Sequence, residues 1–224
     1  MNYILLTSKP WHDDLFNNLS ARANENWFRI SSEKDFHLKK LYEIQPKRIF
    51  IPHWSQIIPS EIFDRFECIV FHMTDLPYGR GGSPLQNLIV RGHVDTQISA
   101  IKVSEGIDTG AIYLKAPLSL FGTAEEIFIR GAVVISKMID TIIQLNPMPI
   151  PQEGEPVVFS RRKPNQGNVA ELKELNEVFD YIRMLDCEGY PKAFLETEYL
   201  RMEFSRASLK SNKSILSDVR IFKK

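Results

Sequence analysis

His72 closes the apolar run Cys68–Phe71 and is followed by Met73-Thr74-Asp75-Leu76-Pro77-Tyr78-Gly79-Arg80-Gly81-Gly82-Ser83-Pro84, a Pro/Gly-rich loop entering a helix-forming segment. Downstream, Gly106-Ile107-Asp108-Thr109-Gly110 sets a carboxylate among glycines. Imidazole suits proton handling near neutral pH. A carboxylate beside it can fix its tautomer and orientation, the arrangement that acyl transfer uses. Taken alone, Asp108 is equally a turn aspartate. Paired with His72 it points to group transfer. Gly79–Pro84 resembles a phosphate cradle, but it lacks the ending of a P-loop and the glycine spacing of a dinucleotide site. Its backbone amides and the planar fork of Arg80 could bind an anion or a carbonyl oxygen, or the segment could be a tight strand-to-helix turn.

The flanking elements must bring these two stretches together. Apolar runs at Tyr3–Thr7, Trp27–Ile30, Arg48–Pro52 and Cys68–Phe71 alternate with helical patterns at Trp11–Arg22 and Phe36–Ile44 and a short helix within Ile57–Phe66. Uninterrupted apolar strands between helices predict an α/β fold with a mostly parallel sheet covered on both faces. Ligands of such sheets sit at the carboxyl ends of the strands, where His53, Trp54 and His72 fall. His93–Val103 and Ala111–Leu118 read as a hairpin-like unit with Asp108 in its connection. Thr123-Ala124-Glu125-Glu126 is a capping-box pattern opening a helix that should stop near Leu145.

Four prolines between Pro147 and Pro156 mark a surface connector. Beyond it, Asn168–Met184 reads as a helix, and short β-like runs at Lys192–Leu195, Tyr199–Phe204 and Val219–Phe222 predict a small β-rich C-terminal appendage. The expected division is a catalytic domain over residues 1–147 and a connector, helix and β-rich subdomain over 148–224.

The chain has 224 residues, with 28 basic and 28 acidic side chains. That balance predicts no global attraction to nucleic acid or an anionic membrane. No apolar run approaches the roughly 20 residues that span a bilayer. Met1–Leu6 lacks the basic flank and cleavage site of a signal peptide. Cys68 and Cys187 form no disulfide framework, so a reducing cytoplasm is expected. Cys and His spacing shows no zinc pattern, so no metal is expected. His12, His37 and His93 have no supporting context. Arg161-Arg162-Lys163 reads as a solvated surface run.

The His72 and Asp108 motifs resemble the formyltransferase family that uses N10-formyltetrahydrofolate. The family's loop, His-x-Ser-Leu-Leu-Pro and then Arg-Gly-x-x-Pro, is matched by His72-Met73-Thr74-Asp75-Leu76-Pro77 and Arg80-Gly81-Gly82-Ser83-Pro84. Its Asp-x-Gly element is matched by Asp108-Thr109-Gly110, and Ile51–Pro59 resembles the segment lining the folate cleft. The match runs from about Ile49 to Leu145. The resemblance implies a Rossmann-like α/β fold and an N-formyltransferase in which an amine attacks the formyl carbon of the donor. His72 would stabilise the developing charge or move the proton, and Asp108 would orient His72 and help protonate the leaving nitrogen. Folate contacts are expected at Ile51, Pro52, His53 and Trp54, and at Gly106, Ile107, Asp108 and Gly110. Acceptor contacts are expected at Thr74, Arg80, Gly81, Gly82 and Tyr190. One position departs from the pattern. The family's catalytic Asn stands two residues before the His, where this chain has Val70, so its role would pass to Thr74, Gln86 or Asn87, or be dispensed with.

Neutral charge and a short C-terminal portion favour a nucleotide-linked amino sugar, of the UDP- or dTDP-4-amino-dideoxyhexose type, as acceptor, with no nucleic-acid partner. Formylation of an aminoacyl group on a carrier protein or tRNA is the alternative, and Val70 motivates a third reading as a non-catalytic folate- or nucleotide-binding module. The C-terminal strands could pair within one chain or across a homodimer.

Overall fold

The structure, a computed structural model, describes residues 1–224. Eleven strands and six α-helices follow one another along the chain. The first strands are β1 (Asn2–Thr7), β2 (Asn26–Ile30), β3 (Arg48–His53) and β4 (Cys68–His72), with helices α1 (Asp13–Ser20), α2 (Leu38–Ile44) and α3 (Ser60–Phe63) between them. β1 runs parallel to both β2 and β3, and β3 parallel to β4. β6 (Asp95–Lys102) joins β4 antiparallel and β7 (Ile112–Ser119) flanks it, giving the six-stranded order β2-β1-β3-β4-β6-β7. This is the expected mostly parallel α/β sheet, with the β6–β7 unit added at one edge.

Burial explains why these residues choose strands. Ile4, Leu5, Leu6, Ile49, Phe50, Ile51 and Ile69 are at most 1% exposed. Residues pointing to both sides of β1 and β3 are thus covered, which is why both strands read as unbroken apolar runs. Each such side chain contributes about 1.5–3 kcal/mol on burial, so this sheet is the main store of stability. One cluster packs Ile4, Leu6, Ile49, Ile51 and Cys68 against Leu41 and Ile44 of α2 and Ile62 of α3.

The chain divides into two compact units, each assembled from separate stretches. The first comprises Met1–Gly81, Thr96–Leu118 and Ile129–Val158, and holds the sheet. The second comprises Gly82–Asp95, Ser119–Phe128 and Phe159–Lys224. It carries α4 (Pro84–Ile89), α6 (Leu175–Leu185) and an antiparallel sheet ordered β11-β10-β9, from β9 (Ala193–Glu196), β10 (Leu200–Lys210) and β11 (Ser214–Lys223). This is the expected β-rich C-terminal part.

α5 (Ala124–Leu145) opens on a capping box in which the Glu126 backbone N–H donates to Thr123 Oγ1 at 3.3 Å. In return the Thr123 N–H donates to Glu126 Oε2 at 2.7 Å. The helix expected from Asn168 begins only at Leu175. Its preceding residues pair instead with β9: Asn168 forms a bridge with Phe194, and the Val169 N–H donates to the Phe194 carbonyl at 2.9 Å. A competing backbone partner overrides the local helical pattern. No helix is long and apolar enough to cross a membrane.

One buried histidine makes the fold sensitive to acid. His12 is 2% exposed, with Nδ1 2.8 Å from Thr7 Oγ1. Burial, followed by the nearby charges of His53, Arg29 and Lys9, holds its pKa down at about 3. Below pH ~6.5 the unfolded chain takes up a proton that the folded imidazole refuses, so this contribution to stability is full above that pH and is lost as pH falls towards about 3. His12→Gln should therefore flatten the acid side of the stability profile. Between pH 6.5 and 5, urea unfolding should show the unmodified chain losing up to about 2 kcal/mol more than the variant.

Candidate active site

β4 delivers His72 at its last residue, opposite Ser99 of the antiparallel β6. The imidazole is 7% exposed. Its Nε2 lies 2.8 Å from the Gly79 carbonyl. A carbonyl can only accept, so Nε2 carries the hydrogen and Nδ1 is the nitrogen left to exchange a proton. That Nδ1 sits 3.5 Å from Asp108 Oδ2. The same carboxylate oxygen accepts the Gly81 backbone N–H at 2.9 Å. Asp108 thus bridges the loop that follows β4 and the imidazole that ends it.

The loop itself is tied back to the sheet. Ser99 Oγ donates to the Thr74 carbonyl at 2.7 Å and receives the Leu76 N–H at 3.3 Å. Thr74 is fully buried, and its hydroxyl donates to the Gly79 carbonyl at 3.3 Å, the acceptor it shares with His72. Lys115 on β7 pairs with Asp75 and donates to the Leu76 carbonyl. Tyr78–Gly81 then forms β5, which pairs with β8 (Val157–Phe159). Together these contacts hold Gly79 and Gly81 where His72 and Asp108 meet them.

Asp108 reaches this point through a tight connection. It adopts a left-handed φ of 54°, tolerable for aspartate, and follows Gly106 at φ 90°. Thr109 Oγ1 donates to the Glu105 carbonyl at 2.6 Å, closing the turn. Gly110 then passes so close to the end of β6 that a Cβ there would lie 1.7 Å from the Lys102 carbonyl oxygen. Only glycine fits that crossing.

The remaining expected residues occupy varied settings. Ile51 and Pro52 are buried, which leaves backbone atoms as their available groups. His53 ends β3 as His72 ends β4, on adjacent parallel strands. The His53 ring meets Trp11 edge-on at 5.7 Å, and burial, then the charge of Lys9, lowers its pKa to about 4. Trp54 packs edge-on against Phe36 at 6.2 Å and lines a cleft of about 170 Å³ with Ser8, Ser31, Glu33, Ser55 and Gln56. Ile107 is 64% exposed at the tip of the Asp108 turn. Arg80 donates through Nε and Nη2 to Gln152 Oε1, at 3.1 and 2.8 Å.

Gly82 and Tyr190 belong to the second unit. A Cβ on Gly82 would come within 2.6 Å of Arg161 Cβ, so close backbone packing accounts for this glycine. The half-buried Tyr190 ring lies 5.6 Å from Phe128, and burial pushes its phenol pKa up. His72, Asp108, Thr74, Arg80 and Gly81 are thus brought together within the first unit, joined by the Gly106–Gly110 turn.

Val70 shares a face of β4 with His72, two residues away. It packs against the Ile49–Ile51–Ile62 cluster and has no polar group to offer. Two of the substitutes considered for the missing Asn are committed elsewhere. Gln86 donates to the Met184 carbonyl, and Asn87 donates to the carbonyls of Gly82, Ser83 and Ser160. Thr74 shares the Gly79 carbonyl with His72, but its buried hydroxyl is already donated there.

Three contributors escape sequence reasoning. The Gly79 carbonyl is a backbone atom with no sequence signature. Gln152 sits in what reads as a surface connector. Ser99, a lone hydroxyl in the apolar run Ile98-Ser99-Ala100-Ile101, did leave a signal, since a buried polar side chain needs a partner. A larger cavity of about 450 Å³ lies at the opposite edge of the sheet, among Arg48, Arg65, Glu67, Lys102 and Tyr113. Glu67 there already accepts from Arg48 and Tyr113, and none of the expected site residues line it.

Residues 16–129 match the family model described as formyl transferase, and residues 164–222 match that of the methionyl-tRNA formyltransferase C-terminal domain. A methionyl-tRNA formyltransferase structure from Clostridium thermocellum is 49% identical, with a TM-score of 0.97, over 100% of both chains. A curated methionyl-tRNA formyltransferase from Thermodesulfovibrio yellowstonii is 27% identical over 66% of this chain and 51% of its own. A 4-N formyltransferase structure from Francisella tularensis is 16% identical, with a TM-score of 0.64, over 97% of this chain and 96% of that one. The chain spans about half the length of the curated relatives it matches.

These findings correct the expected nucleotide-linked amino-sugar acceptor. A sugar N-formyltransferase structure from Shewanella shares only the fold, at 16% identity and a TM-score of 0.64, whereas the full-length likeness at 49% is to a protein named for methionyl-tRNA. A net charge of zero does not by itself choose an acceptor.

The crossing at Gly110 gives the site a testable weak point. Gly110→Ala must push the Asp108 turn away from Lys102. It should cost on the order of 2–3 kcal/mol, read as a melting temperature about 5–10 °C lower.

Proposed function

The chain belongs to the formyl transferase family, and from that premise we propose that it moves a formyl group from N10-formyltetrahydrofolate to the α-amino group of an aminoacyl-tRNA, methionyl-tRNA above others. The observation that carries the chemistry is the 3.5 Å approach of His72 Nδ1 to Asp108 Oδ2, with Nε2–H held by the Gly79 carbonyl. The full-length 49% likeness supports the choice of acceptor.

The donor supplies an activated one-carbon unit when bound. The chain's own residues fit such a molecule in three respects. The carboxylate and imidazole are mostly buried yet not sealed, at 15% and 7% side-chain exposure. The Gly106–Gly110 turn beside them presents Ile107 outward as an apolar contact for a flat ring. Ile51 and Pro52 contribute backbone at the strand end next to His72, leaving polar edges of the donor to be read by main-chain groups.

His72 and Asp108 then divide the proton work. An amine must lose a proton as it forms an amide, and the nitrogen it displaces must gain one. Nδ1 of His72 is the free basic nitrogen, since Nε2–H is spent on Gly79. Asp108 lies against Nδ1 and can stabilise the ring while it carries the extra proton. The Gly81 N–H keeps that carboxylate from swinging away. Fixing both groups before the reactants arrive removes much of the orientational cost of the reaction. Arg80, on the same loop, supplies a polar contact for the acceptor, whereas Thr74, expected to do so, is fully buried with its hydroxyl on the Gly79 carbonyl.

Val70 favours one other reading, donor binding without turnover, because the family's amide is missing from β4. The deciding experiment incubates the chain with N10-formyltetrahydrofolate and charged tRNAs, then hydrolyses the esters and weighs the released amino acids. Formylmethionine is the expected product. Donor binding with no formylated product from any aminoacyl-tRNA would support the second reading instead. His72→Ala and Asp108→Asn should each lower kcat by about 10²–10⁴-fold, measured as formylmethionine released per minute.

A further inference from the structure

Between α5 and β8 the chain reads as a proline-rich surface crossing, and seven of the eight residues from 151 to 158 are exposed. Gln152 is the exception. Its amide makes four hydrogen bonds and each end finds complementary partners. Oε1 accepts from Arg80 Nε at 3.1 Å and Nη2 at 2.8 Å. Nε2 donates to the carbonyls of Asp108 and Gly110, both at 2.8 Å. Donors face the oxygen and acceptors face the nitrogen, so the orientation of the amide is fixed by its surroundings.

These bonds close a ring. Gln152 holds Arg80; Arg80 is joined through the chain to Gly81; the Gly81 N–H donates to the Asp108 carboxylate; and the Asp108 carbonyl returns to Gln152. The ring encloses a residue that needs support, since Asp108 is held at a φ of 54°. The direction of its carboxylate towards His72 follows from that backbone conformation.

We propose that Gln152 is a positioning residue for this site: it touches no reacting atom, and it sets the angle at which Asp108 meets His72 by clamping the carbonyls on either side of Thr109 while anchoring Arg80. The inference rests on the formyl-transfer reading given above. It also assigns a task to the connector, which carries the one inward side chain that locks the turn.

Two variants separate the two ends of the amide. Gln152→Glu is nearly isosteric and keeps an acceptor for Arg80, but it puts a carboxylate against two carbonyl oxygens. Gln152→Ala removes both ends. Both should lower kcat about tenfold or more, with KM for donor and acceptor changed less than threefold, because misaligned groups slow the step without emptying the site. In the Asp108→Asn background, Gln152→Ala should add little, since the group it positions is already gone. Full additivity, or a kcat within twofold of the unmodified chain, overturns the proposal.

A readout without turnover keeps this inference apart from the functional one. In ¹H–¹⁵N spectra of the folded chain, the Gly81 amide proton should move upfield in both Gln152 variants, towards its position in Asp108→Asn. A Gly81 resonance that stays in place overturns the clamp whether or not formyl transfer is found. If the amide moves but the unmodified chain formylates no amine, the clamp stands and the functional reading fails.

Discussion

The structure turns on one carboxylate oxygen. Asp108 Oδ2 receives the Gly81 N–H and lies against His72 Nδ1, so it joins two chain segments that the sequence keeps well apart. Everything around it serves to hold that meeting. The apolar core of β1, β3 and β4 fixes the strand end from which His72 projects. β6 returns antiparallel along β4 and brings the Asp108 turn with it. Gly110 allows that turn to pass the Lys102 carbonyl at a distance no side chain would permit. A buried polar group is tolerated only when its partners are in place, and here each partner is itself tied down.

Much of this was legible in the residues. The strands β1 to β4 announced themselves as apolar runs because both of their faces are covered. The α5 terminus was readable from Thr123 and Glu126, since a capping box is a local interaction between near neighbours. His72 and Asp108 could be named because the chain has only five histidines and because the glycine settings of both residues are distinctive. What escaped was non-local. Gly79 acts through its backbone, Gln152 through an amide in a connector, and Asn168 and Val169 through pairing with a distant strand. Partners brought together by folding leave no mark on the local pattern.

The acceptor illustrates a different failure. Charge balance, summed over 224 residues, pointed away from nucleic acid, yet the protein with 49% identity over the whole chain is named for methionyl-tRNA. Net charge bears on solubility and long-range steering, whereas an acceptor is chosen by a few groups at one site. Val70 carries the complementary lesson. The fold, the His72 loop and the Asp108 turn are all present around a position that has exchanged an amide for an aliphatic side chain packed into the core. The His72–Asp108 pair therefore does not depend on that amide for its geometry, since the Gly79 carbonyl and the Gly81 N–H supply the hydrogen bonds that place it.

The central claim is that this pair is where the one-carbon donor reacts. A crystal structure with a non-transferable analogue of N10-formyltetrahydrofolate tests it most directly. The account predicts the analogue's formyl carbon within about 4 Å of the His72 imidazole and the Asp108 carboxylate, the spacing of a near-attack arrangement. An analogue seated elsewhere, with His72 and Asp108 untouched, would contradict it.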